Sequence, residues 1–267
     1  MERQLKALAF ENLYSRFPAV DGTTLDPGTS RLKSSEVAIF RSHHDALSQA
    51  KGTGLCVHLL EDDALLSEHV PFVIQDAIET KLFDRFDLLF TDMMVPCHVE
   101  SLKALRTEFD KRVGSAKPLR LSQLTLLDLG KKFYGSFASY VVGANAVERV
   151  LSLYAAELER GPNVPVDIFI QQQVLGGALR AACVFPFVTS TRLDHMLAST
   201  RTAAKSDDEQ ASLFAMAVLQ SLFFVDCDVD YTKNALEEAL AGYPPDPRNA
   251  VMAQVMGFVL SKRFVGT

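Results

Sequence analysis

Gly54-Leu55-Cys56-Val57-His58-Leu59-Leu60-Glu61-Asp62-Asp63 is the stretch on which the fold turns. The run Leu55 to Leu60 is short, apolar, opened by glycine and closed by acid, which reads as a buried strand. Side chains alternate faces in an extended backbone, so Glu61 and Asp63 are expected to point one way and Asp62 the other. Two carboxylates then converge at a strand end. Hard cations such as Mn²⁺ or Mg²⁺ prefer oxygen, hold one or two protein carboxylates and complete their shell from water and phosphate. Glu61 and Asp63 are therefore candidate metal ligands for a diphosphate-bearing substrate. Without a cation, these like charges at the edge of an apolar core would be unfavourable and would tend to protonate. Taken alone, the triplet reads equally as a solvated turn or a helix cap.

Upstream of the triplet, Leu5, Leu8, Ala9 and Leu13 suggest a short helix, closed by the turn-forming Phe17 to Gly22. Gly22 to Ser35 reads as a surface loop. A second helix is expected from Ser34 or Ser35, with serine as its cap, to about Gly52, carrying Ser42, His43 and His44.

Downstream, a helix is expected to begin near Pro71. Strands are expected at Asp87 to Thr91, once or twice within Leu119 to Leu127, at Ser139 to Val142 and at Leu179 to Phe185. Helices are expected from about Asn145 to Glu159, stopped by Gly161-Pro162, and over Val166 to Leu175. This alternation predicts an α/β fold. Beyond Thr191 the pattern turns helical, with Leu213 to Phe223, Leu236 and Leu240 in stripes and Val251 to Val259 last. The expected organisation is a main domain over 1–195 and a helical extension over 196–267. That extension would pack on the domain or on another subunit as a homodimer.

The chain has 267 residues, a net charge of −6 and 48% hydrophobic residues. An acidic balance argues against a duplex-binding protein, since phosphate backbones are held by clustered Lys and Arg. Cys56, Cys97, Cys183 and Cys227 form no Cys-x-x-Cys pair, so a reduced compartment is expected. The N-terminus lacks the pattern of a secretory signal, and no run suits a bilayer span. A cytoplasmic location follows, from which any membrane-borne substrate would be met peripherally. Gly-x-Gly-x-x-Gly, Gly-x-Ser-x-Gly and phosphate-loop motifs do not occur, which removes the main support for dehydrogenase, hydrolase and P-loop readings.

Several segments in order give the chain a resemblance. Arg16-Phe17-Pro18-Ala19-Val20-Asp21-Gly22, Ser42-His43, Leu60-Glu61-Asp62-Asp63, Gly135 to Ala146, and Pro165-Val166-Asp167 are similar to motifs of glycosyltransferase family 25. That family includes lipooligosaccharide galactosyltransferases of lipopolysaccharide biosynthesis and collagen galactosyltransferase domains. The likeness covers about Arg3 to Thr191, and Leu-Glu-Asp-Asp is its most specific part. Met1 to Lys6 do not carry the family's opening apolar strand and its Asn-Leu and basic segment, and Glu36-Val37-Ala38 stand where the family has Gly-Cys.

The resemblance implies a GT-A-like fold with a mixed central sheet and inverting transfer of a hexose, galactose foremost, from a UDP-sugar to a glycan hydroxyl. Lipid-linked oligosaccharides are among the acceptors it suggests. It implies donor and cofactor binding by Asp21, Ser42, His43, Glu61 and Asp62, with Mn²⁺ or Mg²⁺ held by Glu61 and Asp63. An inverting transfer needs a base for the acceptor hydroxyl, and Asp167 and Asp92 are the candidates. Asp167 reads as well as a helix cap, and Asp92 as a solvated turn. His43 could equally be a buried hydrogen-bonding residue, and Asp21 could simply shape its turn. His195 is a further candidate metal ligand, and Lys131 and Lys132 could face phosphate or acceptor. The alternative function is a non-catalytic relative that serves as a binding or scaffolding module.

Overall fold

The computed structural model describes residues 1–95, 98–112, 117–131, 136–193 and 207–242, with 257 and 259. Helices α1 (Glu2–Ala7) and α2 (Ser34–Ser48) come first, followed by strands β1 (Val57–Leu60) and β2 (Ala64–Leu66). Then follow α3 (Val70–Glu79), β3 (Leu88–Phe90), α4 (Val99–Arg112), β4 (Thr125–Asp128) and β5 (Ser139–Val142). Next come α5 (Val147–Arg160), α6 (Val166–Leu175), β6 (Ala181–Phe185) and β7 (Thr189–Thr191), and then α7 (Asp207–Leu222) and α8 (Val229–Gly242). The chain is a mixed α/β protein.

Five strands form the central sheet in the order β1-β5-β3-β6-β4, while β2 and β7 form a separate ribbon. β3 pairs parallel with β6, and the other neighbours pair antiparallel. The three inner strands β5, β3 and β6 are buried at every position, whereas the edge strands β1 and β4 are half-buried or exposed. This explains why the inner strands read as continuous apolar runs.

Alternation along the strands builds a core on each face. Leu88, Phe90, Tyr140, Val142, Cys183 and Phe185 point to one side, against α2, α5 and α6. Leu89, Val141, Ala182 and Val184 point to the other, against Val70, Val73 and Ala77 of α3. Phe214, Val218, Leu219 and Leu222 of α7 join the first core beside Phe185 and Phe187. Phe187 N–H donates to Phe223 O at 3.0 Å, tying β7's approach to the end of α7.

Several expectations shift. The α2 cap is Lys33, with Ser34 already helical, because Lys33 N–H is taken by Glu36 Oε2 at 3.1 Å. Leu119 to Leu127 begins as a 3₁₀ turn at Leu121–Gln123, because Gln123 Oε1 and Asp76 Oδ2 capture the N–H groups of Arg120 and Leu121. α5 ends at Gly161, whose φ of +80° suits glycine. Cys56, Cys183 and Cys227 are free thiols, while Cys97 lies outside the described residues. The last expected helix falls largely outside them as well, apart from 257 and 259. Among the described residues no helix is long and apolar enough to cross a membrane.

Candidate functional site

β1 and β3 both run antiparallel to β5, which lies between them, so their C-terminal ends meet the start of β5 at one end of the sheet. Glu61 continues the ladder by donating its N–H to Ala138 O at 2.8 Å, and Asp63 O accepts from Arg192 N–H at 3.0 Å. Asp62 is exposed, while Glu61 and Asp63 are partly buried. The partly buried acids are the two expected, but Asp62 and Asp63 lie in a turn closed by Ala64 N–H on Glu61 O at 3.3 Å, not in the extended chain that the sequence suggested.

A histidine from α2 holds Glu61. His43 Nε2 lies 3.2 Å from Glu61 Oε1, and Nδ1 lies 2.9 Å from the Tyr140 hydroxyl. A carboxylate only accepts, so Nε2 carries the proton and Nδ1 accepts from Tyr140. Burial raises the Tyr140 phenol well above its ordinary pKa, so it remains a neutral donor. The Tyr154 hydroxyl backs it at 3.4 Å.

Asp92, just past β3, is fully buried, which corrects its reading as a solvated turn. The Thr189 hydroxyl donates to its Oδ2 at 2.6 Å, and Ser136 supplies a further side-chain bond. Its Oδ1 is buried without a partner. Burial pushes the carboxyl up to about 6; the hydroxyl bonds pull it down, and Asp63 and Glu61 add repulsion. Three carboxylates therefore share one electrostatic environment.

A line of polar groups runs from the N-terminal segment to Asp92. Tyr14 OH meets His58 Nδ1 at 2.8 Å, and His58 Nε2 meets Ser139 Oγ at 2.8 Å. Ser139 Oγ bonds Thr91 Oγ1, which lies 2.8 Å from Thr189 Oγ1. Burial lowers the His58 pKa to about 3, so its ring is neutral. Sequence reasoning did not reach this line. The available signal was a histidine inside an apolar strand, with serine and threonine at neighbouring strand ends.

Ser42 and Asp21 act in a loop. Ser42 Oγ accepts from Val20 N–H at 2.9 Å and donates to Ala38 O at 2.8 Å, which fastens the Val20-Asp21-Gly22 loop to α2. Asp21 Oδ1 accepts from the Thr23 N–H at 2.8 Å and from the Thr23 hydroxyl at 2.7 Å. These bonds hold its carboxyl below the usual range. Gly22 is required by packing, since a Cβ there would stand 2.7 Å from Ser35 Cα. Ser42 thus reaches the loop, while His43 beside it reaches Glu61.

Asp167 sits in the first turn of α6 with a buried, unpartnered Oδ1. No described contact joins it to Glu61, Asp63 or Asp92. Lys131 is exposed, and Lys132, Gly135 and His195 lie outside the described residues. Surface concavities beside the Asp76–Arg120 ion pair and beside Arg85 and Arg180 contain none of the acidic cluster.

Among the described residues no group of three or more His, Cys, Asp or Glu side chains is arranged to hold a metal ion. What the site offers instead is hard oxygen donors in small number, the donor set of a cation that draws its other ligands from water and phosphate. The unpartnered Asp92 Oδ1 and the crowding of like charge fit that chemistry.

No family model matches the chain, and no curated protein matches it.

Proposed function

We propose that the chain is a metal-dependent inverting glycosyltransferase with a GT-A-like fold that moves a hexose, galactose foremost, from a UDP-sugar to a glycan hydroxyl. The observation that carries this reading is the grouping of Glu61, Asp63 and Asp92 at the C-terminal ends of β1 and β3. Open α/β sheets bind their ligands at that end. The motif resemblance of Leu60 to Asp63 supplies the reaction class.

On this reading Glu61 and Asp63 hold Mn²⁺ or Mg²⁺, with His43 aiming Glu61 through its Nε2–H. A cation held there would supply positive charge to offset that of the departing diphosphate. Asp92 is favoured over Asp167 as base because it belongs to the same electrostatic cluster. Its carboxylate takes the acceptor hydroxyl proton as that oxygen bonds the anomeric carbon. The bond from that carbon to the diphosphate breaks, and its electron pair leaves with UDP. A base poised near neutrality balances availability against driving force, and the elevated pKa of Asp92 supports that role. Asp21 and Ser42 shape the loop assigned to the donor, and Asp62 is exposed between Glu61 and Asp63. The enzyme would be cytoplasmic, meeting a lipid-linked acceptor at the membrane surface, with a homodimer through the C-terminal helices as part of the same reading.

The test is UDP release from a panel of UDP-sugars with Mn²⁺, with EDTA, and with Asp63→Asn. Turnover that needs the cation and is lost in Asp63→Asn supports the reading. Absence of both turnover and nucleotide binding overturns it in favour of a binding or scaffolding role.

A further inference from the structure

Proton counting fixes the direction of the buried line between Tyr14 and Asp92. Its contacts are Tyr14–His58, His58–Ser139, Ser139–Thr91, Thr91–Thr189 and Thr189–Asp92. Each contact needs one proton, and the neutral groups from Tyr14 to Thr189 supply one each. An Asp92 carboxylate can only accept, so the Thr189 proton fills the last contact. The Thr91 proton then fills the one before it, Ser139's the next, and His58 must carry its proton on Nε2. Tyr14 completes the line by donating to Nδ1. Thr91 has another acceptor in Ser139 O at 3.2 Å, but turning there would empty the shorter contact with Thr189.

We propose that His58 is a positioning residue: held in its Nε2–H tautomer by the Asp92 carboxylate through this line, with Tyr14 donating to Nδ1, it keeps the Thr189 hydroxyl on Asp92 Oδ2 and leaves Oδ1 for a ligand. No proton travels along the line. It polarises each hydroxyl toward Asp92, and a hydrogen-bonded chain of one sense strengthens its terminal bond. Thr189 is thereby kept from turning back to Thr91. Around Asp92, the Ser136 side chain adds a further bond. Glu61 and Asp63 face Asp92 as like charges, Cys183 of β6 is a thiol raised by burial and by Asp92 itself, and His43 is committed to Glu61 and Tyr140.

The assignment of a ligand to Oδ1 rests on the proposed base role of Asp92; the direction of the line does not. The deciding experiment is nitrogen NMR of ¹⁵N-histidine-labelled full chain at pH 7, without ligand. The wild type should show His58 as a single neutral Nε2–H form. Thr189→Val, which removes the terminal hydroxyl at nearly constant volume, should release the count and give a mixture of tautomers at His58. Ser139→Ala makes the same cut nearer the ring if Thr189→Val fails to fold. A charged or Nδ1–H ring in the wild type, or a tautomer ratio unmoved by the cut, overturns the proposal even if sugar transfer is established.

In the transfer assay His58→Gln, whose amide can still donate to Ser139, should retain most of kcat. His58→Phe should lose about tenfold or more, the usual scale for orienting partners, with donor KM unchanged. Equal losses in both variants, or a change confined to donor KM, also overturn it. A wild type without turnover defeats the glycosyltransferase reading and leaves the tautomer result to decide the direction.

Discussion

His43 Nε2 lies 3.2 Å from Glu61 Oε1 while its Nδ1 meets Tyr140 OH at 2.9 Å, so one buried ring aims a half-exposed carboxylate. The contact joins α2 to the end of β1, and both ring nitrogens are used. Replacing His43 by Phe leaves the Tyr140 hydroxyl only its longer contact with Tyr154 at 3.4 Å and should cost about 1 kcal/mol. The same change should weaken Mn²⁺ binding by about 10–100-fold. Urea unfolding reads the first effect and a Mn²⁺ titration the second.

Asp92→Asn should separate stability from activity. The carboxyl, with a folded pKa of about 6 against an ordinary value of 3.8, is harder to ionise when folded. Its charge therefore opposes folding above pH 6, by up to about 3 kcal/mol. The amide removes that cost, so Asp92→Asn should unfold at higher urea than the wild type at pH 8. Turnover should fall by about 10²–10⁴-fold, the usual contribution of a general base.

The pH dependence of stability should contain two opposing slopes. Folded Asp92 binds a proton more readily than the unfolded chain, so between about 4 and 6 it adds stability as pH falls. Folded His58, with a pKa of about 3 against 6.5, resists protonation, so it removes stability as pH falls through that window. The two contributions nearly cancel. Asp92→Asn exposes the histidine slope, and its unfolding free energy should drop more steeply than the wild type's between pH 6 and pH 4. Equal slopes in urea titrations at those pH values would refute the assignment.

Mn²⁺ should stabilise the protein through the cluster. A ligand at one hundred times its dissociation constant adds about 2.7 kcal/mol to a state that alone binds it. Thermal unfolding with Mn²⁺ should therefore shift upward in the wild type and much less in Glu61→Gln or Asp63→Asn. EDTA should reverse the wild-type shift.

Gly22→Ala should loosen the Val20-Asp21-Gly22 loop from α2. Its Cβ would meet Ser35 Cα at 2.7 Å, and backbone cannot swing aside as a long side chain can. Overpacking of this kind costs about 1–3 kcal/mol. Loss of the Val20–Ser42 bond should accompany it, read as faster amide exchange at Val20.

Where local chemistry and tertiary environment agree, the sequence was legible. The structure bounds β5 at Ser139–Val142 and α6 at Val166–Leu175, the ranges expected from apolar runs, with Gly143 after the first and Pro165 before the second. Glu61 and Asp63 are the two partly buried acids, but a turn at Asp62-Asp63 places them, where an extended strand end was expected. α4 was not read, because its buried residues are only Leu102, Leu105 and Arg106 and most of the others are polar. The β2/β7 ribbon has three residues on each strand, and its pairing is set by tertiary contact.

At the site, the burial of Asp92 was hidden because Thr189, which bonds it, lies 97 residues away in sequence. His58 was hidden differently. Inside Leu55 to Leu60 it passed as part of a strand, and only the placement of Tyr14 and Ser139 gives its two nitrogens distinct partners.

The line from Tyr14 to Asp92 also bears on how the chain acquires its shape. Its members come from the N-terminal segment, β1, the residues just past β3, β5 and β7, so contacts as local as a helix turn contribute nothing to it. Loop closure must precede such contacts, and topologies rich in them fold slowly. During synthesis the line stays open until Thr189 has emerged and β7 has docked. The acidic cluster thus cannot gain its Thr189 donor before all five strands of the central sheet have been synthesised.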